Sequence, residues 1–247
     1  MKRMQELYPR LLGGFGLIWA VVLQRGALDW PSDAAWAVFA ALWLVASVAL
    51  VLGRRTPIAA GALAVLSMVL FLGPGRMLVD PLGLFWWLGL AVAVTDRRPR
   101  ERALLVRVTV TTAYGFACLS KMNPSWIAGE QISALSIERS QLHPFQSLLQ
   151  SNAAVAIAWV TMVAEGALAV ALWFRPTRLA ASVGGTVMSV GFIWAAHNDS
   201  VWDVATIITL TGLLVISYLA FFCPIRPEPV AASDGSAALD AGRATPG

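Results

Sequence analysis

Charge is what this chain has least of. Of its 247 residues only 13% are Asp, Glu, Lys or Arg, whereas a soluble domain carries about a quarter. Hydrophobic residues make up 58% of the chain, and mean hydropathy is +0.69. A soluble globular domain is excluded by composition, and a membrane protein is expected. Cysteine is nearly absent too. Cys118 and Cys223 fall near opposite ends of two apolar runs, which rules out an internal disulfide between them if those runs cross a bilayer. No Cys-x-x-Cys occurs, so thiol–disulfide redox chemistry has no motif to rest on. The two histidines and the scattered acids form no zinc-ligand spacing, and no glycine-rich phosphate loop is present. Internal repeats are lacking, as are Gly/Pro-broken half-helices in matching positions, which removes the usual signature of a secondary transporter.

What is there is a series of apolar runs. About 20 helical residues cross the hydrocarbon core, and runs at 11–24, 34–52, 57–73, 79–95, 103–121, 153–174, 179–197 and 204–222 predict eight spans, the first the shortest. The predicted fold class is therefore all-α, a polytopic transmembrane helical bundle. No removable signal peptide is expected, because no long apolar core with a small-residue cleavage site follows the early basic residues. Orientation follows from the cations. Lys2, Arg3, Arg10, Arg54, Arg55, Arg97, Arg98, Arg100, Arg102, Arg175, Arg178, Arg226 and Arg243 lie on the termini and even-numbered connections, against Arg25, Arg76, Lys121 and Arg139 on the other face. Both termini are thus expected in the cytoplasm, in a multi-pass protein of the inner (plasma) membrane. The sequence pI near 9.6 then reflects topology and points to no nucleic-acid partner; the lipid bilayer is the expected surrounding. Residues 224–247, rich in Pro, Ala, Ser, Asp and Gly, read as a disordered cytoplasmic tail behind a membrane domain of 1–223.

The longest connection, 122–152, reads as an extracytoplasmic interfacial loop, too long for a turn and too apolar for a free linker. Asn123-Pro124-Ser125 offers a turn, with Ser125 expected to cap a short helix starting at Trp126. Titratable residues gather on this face: Lys121, Glu130, His143, His197, Asp199 and Asp203. His197 ends a span and precedes Asn198-Asp199, which could orient its ring. Along the fifth span Arg107, Thr111, Tyr114, Cys118 and Lys121 step by four, three, four and three residues, a polar stripe on one helix face. Lipid would penalise that stripe, so it must face the bundle. Its plain reading is interhelical hydrogen bonding, with Arg107 and Lys121 snorkelling to opposite surfaces; the functional reading is an outward pocket with Lys121 at its mouth. Glu165 lies near the middle of the sixth span, where an acid must be neutral, paired or hydrated.

The string from Tyr114 through Gly129 resembles the segment Tyr-x-x-Ala-Gly-x-x-Lys-x-x-x-x-Trp-x-x-Gly of the HTTM group, which contains the vitamin K-dependent γ-glutamyl carboxylases. Tyr114, Ala117, Lys121, Trp126 and Gly129 fall in step, with Cys118 where the group usually has Gly. The stretch from Glu165 to Arg178 is similar to the group's Glu-containing helix and Arg-ended loop. The resemblance implies a membrane enzyme with a quinone or quinol as cofactor and Lys121 as the base, a role open to a lysine in a desolvated pocket. From the character and placement of the residues themselves, Glu165 and His197 are expected to assist catalysis, Tyr114 and Trp126 to border the cofactor, and Glu130 and His143 to lie on the substrate side. The chain lacks the carboxylases' large lumenal domain, has Met188 where a histidine is expected, and has no histidine between Leu82 and Thr95. A second branch of the group, the membrane proteins of sporulation-delaying-toxin operons, resembles it better in size and implies maturation of a secreted peptide. The alternative is a non-catalytic chaperone, export or immunity partner of such a peptide or of a small membrane protein.

Overall fold

Each apolar run becomes a helix in the computed structural model, which describes residues 2–25, 33–72, 80–95, 98–196 and 201–222. The eight long helices are α1 (Lys2–Arg25), α2 (Asp33–Val51), α3 (Thr56–Leu72), α4 (Asp80–Val94), α5 (Pro99–Ser120), α9 (Asn152–Ala171), α10 (Arg178–Ala196) and α11 (Val201–Phe222). Between α5 and α9 lie α6 (Pro124–Ile127), α7 (Glu130–Glu138), a 3-10 helix (Ser140–Phe145) and α8 (Gln146–Leu149). No strand occurs among the described residues. Three helices, α2, α5 and α9, are long and apolar enough to cross a membrane, and α1, α3, α4 and α11 contain shorter apolar stretches. The expected tail at 224–247 lies outside the described residues.

Small residues set how closely the first four helices approach. The indole N–H of Trp43 on α2 donates to the Gly16 carbonyl of α1 at 2.8 Å. Gly89 on α4 lies so near the Ala60 carbonyl of α3 that a Cβ there would come within 2.8 Å of it. Such small-residue contacts are how helices pack where the surrounding lipid supplies no hydrophobic drive. The fully buried Trp19, Trp43 and Phe85 fill the space that remains, Trp43 meeting the Phe85 ring edge-on at 5.5 Å. Helix α11 packs against α1, α4, α5 and α10, and α5 pairs with α9.

The connection after α5 is folded onto the N-terminal half of α9. Asn123, not Ser125, caps the short helix: its side chain accepts from the Trp126 amide at 2.9 Å, and the Ser125 hydroxyl donates to the same oxygen. The helix therefore starts at Pro124, whose fixed φ suits a first turn and whose missing N–H would have found no partner there. Gly129 ends it with φ of +76°, a left-handed conformation that L side chains adopt at a cost. The same glycine backs onto the Ala154–Val155 backbone, where a Cβ would sit 2.8 Å from two main-chain atoms. Trp126, Ile132, Ala154 and Ala158 form a second, smaller apolar cluster beneath this cover.

Candidate functional site

The polar stripe of α5 faces its neighbours in the bundle, and its members meet residues of α9, α11 and the turn after α9. Arg107 is buried and does not snorkel. Its Nε donates to the Ala220 carbonyl at 2.9 Å, one terminal nitrogen donates to the Phe221 carbonyl at 3.3 Å, and the guanidinium stands 5.6 Å from the centre of the Phe221 ring. These are carbonyls of the last turn of α11, which lack helical partners and form the negative end of its dipole. One turn on, Thr111 accepts from the Trp173 indole at 2.8 Å. Tyr114 and Tyr218 share a hydrogen bond between their hydroxyls, beside Gly185, whose missing side chain leaves room for both. Cys118 faces Gly166 of α9.

At the end of the stripe Lys121 Nζ donates to both carboxylate oxygens of Glu165, at 2.6 and 2.7 Å. The side chains are 13% and 7% exposed, so the pair is enclosed on nearly all sides. The Lys121 ammonium also lies 5.1 Å from the centre of the Trp126 ring, within cation–π range. Trp126 is fixed in turn by its own indole N–H, which donates to the Ala158 carbonyl at 3.1 Å. The same carbonyl also accepts from the Thr161 hydroxyl at 2.9 Å.

This geometry corrects the expectation of a lysine at a pocket mouth. Glu165 stands thirteen residues past Asn152, the first residue of α9, which is about 20 Å along a helix axis. Lys121 stands ten residues past Thr111, the partner of Trp173 just beyond the other end of α9, or about 15 Å. The pair therefore sits deep between the two ends of α9, and α6 to α8 occupy the space alongside the N-terminal half of that helix. As a unit the pair is neutral overall, which is the condition under which two charges tolerate a low-dielectric setting.

Of the seven residues singled out from the sequence, Lys121, Glu165 and Trp126 form one cluster. Tyr114 belongs to the same face of α5 but bonds to Tyr218. Glu130 is exposed at the start of α7. His143 is exposed in the 3-10 helix, its Nε2 3.3 Å from the Ile137 carbonyl. Neither makes a hydrogen bond or ion pair with Lys121, Glu165 or Trp126. His197 lies outside the described residues. Among the described residues no group of His, Cys, Asp and Glu could hold a metal ion.

Sequence reasoning missed Tyr218, Asn123 and Gly185. Tyr218 carried a usable signal: a phenol hydroxyl inside an apolar run needs a partner, and Tyr114 was the other such group on a neighbouring span. Asn123 carried one too, an Asn directly before a Pro that can start a helix, whereas the role of Gly185 depends on which hydroxyls come close. No family model, no curated protein and no solved structure matches the chain.

Proposed function

We propose that this is a multi-pass membrane protein of HTTM type, with eight spans and both termini in the cytoplasm, that acts from the extracytoplasmic side in the maturation of a secreted peptide. The cation distribution supports the orientation, and the match of eight apolar runs to eight long helices supports the count. In this reading the N-terminal end of α9 and the cover formed by α6 to α8 face outward. The plasma membrane is its location, and its pair of titratable groups lies inside the bilayer.

The observation that carries the reading is the Lys121–Glu165–Trp126 cluster. An ion pair at bilayer depth is expensive, and such residues mark sites of proton transfer or ligand handling by default. The cluster suits a flat, lipid-soluble quinol in its chemistry: Trp126 offers an aromatic wall, and Lys121 with Glu165 offers a proton acceptor whose charge stays balanced. A quinol, when bound, supplies the reducing electrons that the protein's own side chains lack. Lys121 would act as general base once its ammonium proton had passed to Glu165. The proton it then took from the ligand would leave the pair carrying one positive charge, balanced by the deprotonated ligand. Trp126 positions the ring and excludes water.

A second reading has an observation in its favour. Both carboxylate oxygens are engaged on one ammonium, a pair that braces the end of α5 against α9. In that case the protein is a non-catalytic membrane partner of a secreted peptide, and the pair is purely structural.

Native mass spectrometry with lipid extraction separates the two readings, comparing wild type, Lys121→Ala and Lys121→Arg. A quinone that co-purifies with wild type and is lost from Lys121→Ala supports the catalytic reading. Absence of quinone from all three, with peptide association retained in Lys121→Arg, supports the binding partner instead.

A further inference from the structure

Helices α9 and α10 diverge where small residues face each other. Ala164, Ala167 and Ala171 on one side and Ala180, Gly184 and Met188 on the other border an open groove of about 360 Å³. Facing alanines and glycines ordinarily let helices close up; here the helices stay apart, and the side chains are too short to fill the gap. Empty space of that size forfeits dispersion contacts on both walls, so a hydrocarbon surrounding fills it. One end of the groove is marked by Thr177 in the turn between the two helices.

That turn carries only positive charge. Arg175 and Arg178 flank Thr177, and no Asp or Glu occurs from Gly166 to Asn198. Arg175 is exposed. Arg178 closes the C-terminal end of α9 by donating from Nε to the Leu172 carbonyl and from a terminal nitrogen to the Trp173 carbonyl, both at 3.1 Å. Two of its five N–H donors are thus used, and three remain for an anion. Trp173, at the same level, has its indole tied to Thr111, the position of an interfacial aromatic.

We infer that the α9–α10 groove is a binding site for an anionic phospholipid of the cytoplasmic leaflet, one acyl chain lying along the alanine-lined walls and the phosphate held at Arg175 and Arg178. The inference rests on the proposed orientation, which puts this turn at the cytoplasmic surface, and is independent of any chemistry at Lys121. Charge complementarity selects the headgroup: a basic turn beside an apolar interhelical groove is the pattern that anionic lipids recognise on that side of a membrane. A zwitterionic lipid could enter the same groove but would gain less from the arginines.

The test uses the full chain in detergent, titrated with phosphatidylglycerol and with phosphatidylcholine of the same acyl chains, and counts bound lipid by native mass spectrometry. Wild type is expected to retain the anionic lipid preferentially, and Arg175→Gln to lose about fivefold in that preference, the loss of one basic contact near the surface. Ala167→Leu and Ala180→Leu, both at exposed positions where the added bulk enters the groove without entering the core, are expected to abolish the adduct with the fold intact. Equal retention of the two lipids by wild type overturns the headgroup assignment, and retention of phosphatidylglycerol by the filled variants overturns the groove. The orientation is read separately, by labelling Arg175→Cys with an impermeant maleimide in inside-out vesicles. Labelling only in right-side-out vesicles sinks the leaflet assignment while leaving the detergent result standing.

Discussion

Lys121 Nζ stands 2.6 Å from one carboxylate oxygen of Glu165 and 2.7 Å from the other, and so joins the last turn of α5 to the interior of α9. Twenty residues of α9 and twenty-two of α5 are thereby fixed in one register, with Trp126 as the third member of the junction.

A double-mutant cycle follows from that pairing. Glu165→Leu alone leaves Lys121 without its counter-ion and is expected to cost about 3–5 kcal/mol, since a buried charge is then uncompensated. Glu165→Gln, which keeps the shape but not the charge, is expected to lose stability in the same direction. Lys121→Met combined with Glu165→Leu is expected to recover most of the loss. Thermal unfolding in detergent reads these variants and Lys121→Met alone, and additive effects of Lys121→Met and Glu165→Leu would sink the pair as an energetic unit.

Gly129→Ala tests the cover over α9. The left-handed φ and the approach of the Ala154–Val155 backbone act together at this position, so strain cannot be relieved by moving a flexible side chain. A loss of about 1–3 kcal/mol is expected, together with increased proteolysis between α6 and α7. Unchanged stability and protease resistance would mean that the cover is not held against α9 as described.

The hydroxyl pair offers a cleaner contrast. Tyr114→Phe leaves the Tyr218 hydroxyl without its partner in a buried place and is expected to cost about 1–3 kcal/mol, whereas removing both hydroxyls is expected to cost less. A double variant no more stable than Tyr114→Phe refutes the pairing.

Arg107 carries a prediction about chemistry rather than charge. Its fork reaches two carbonyls at once at the end of α11, a geometry that an ammonium cannot copy. Arg107→Lys is expected to lose up to about 2 kcal/mol despite keeping the cation. Hydrogen exchange in the last turn of α11 is the local readout, and protection equal to that of wild type contradicts the capping role.

The sequence by itself determined the helices and the face of α5 that turns inward. Apolar runs of bilayer length admit little else, and a stripe from Arg107 to Lys121 at helical spacing cannot face lipid, so these features follow from composition and period alone. It also marked Lys121, Glu165 and Trp126 individually, because an acid inside an apolar run and a lysine beside a turn stand out in a chain so poor in charge. Only the tertiary structure decided that the lysine and the acid are partners, forty-four residues apart, and that they meet within α9, about 20 Å from its start. It likewise placed Tyr218 against Tyr114 and left Glu130 and His143 outside the cluster. Those outcomes depend on how far one helix slides past another and on which glycine lets a backbone come close. Such long-range packing has no local period for a sequence to display.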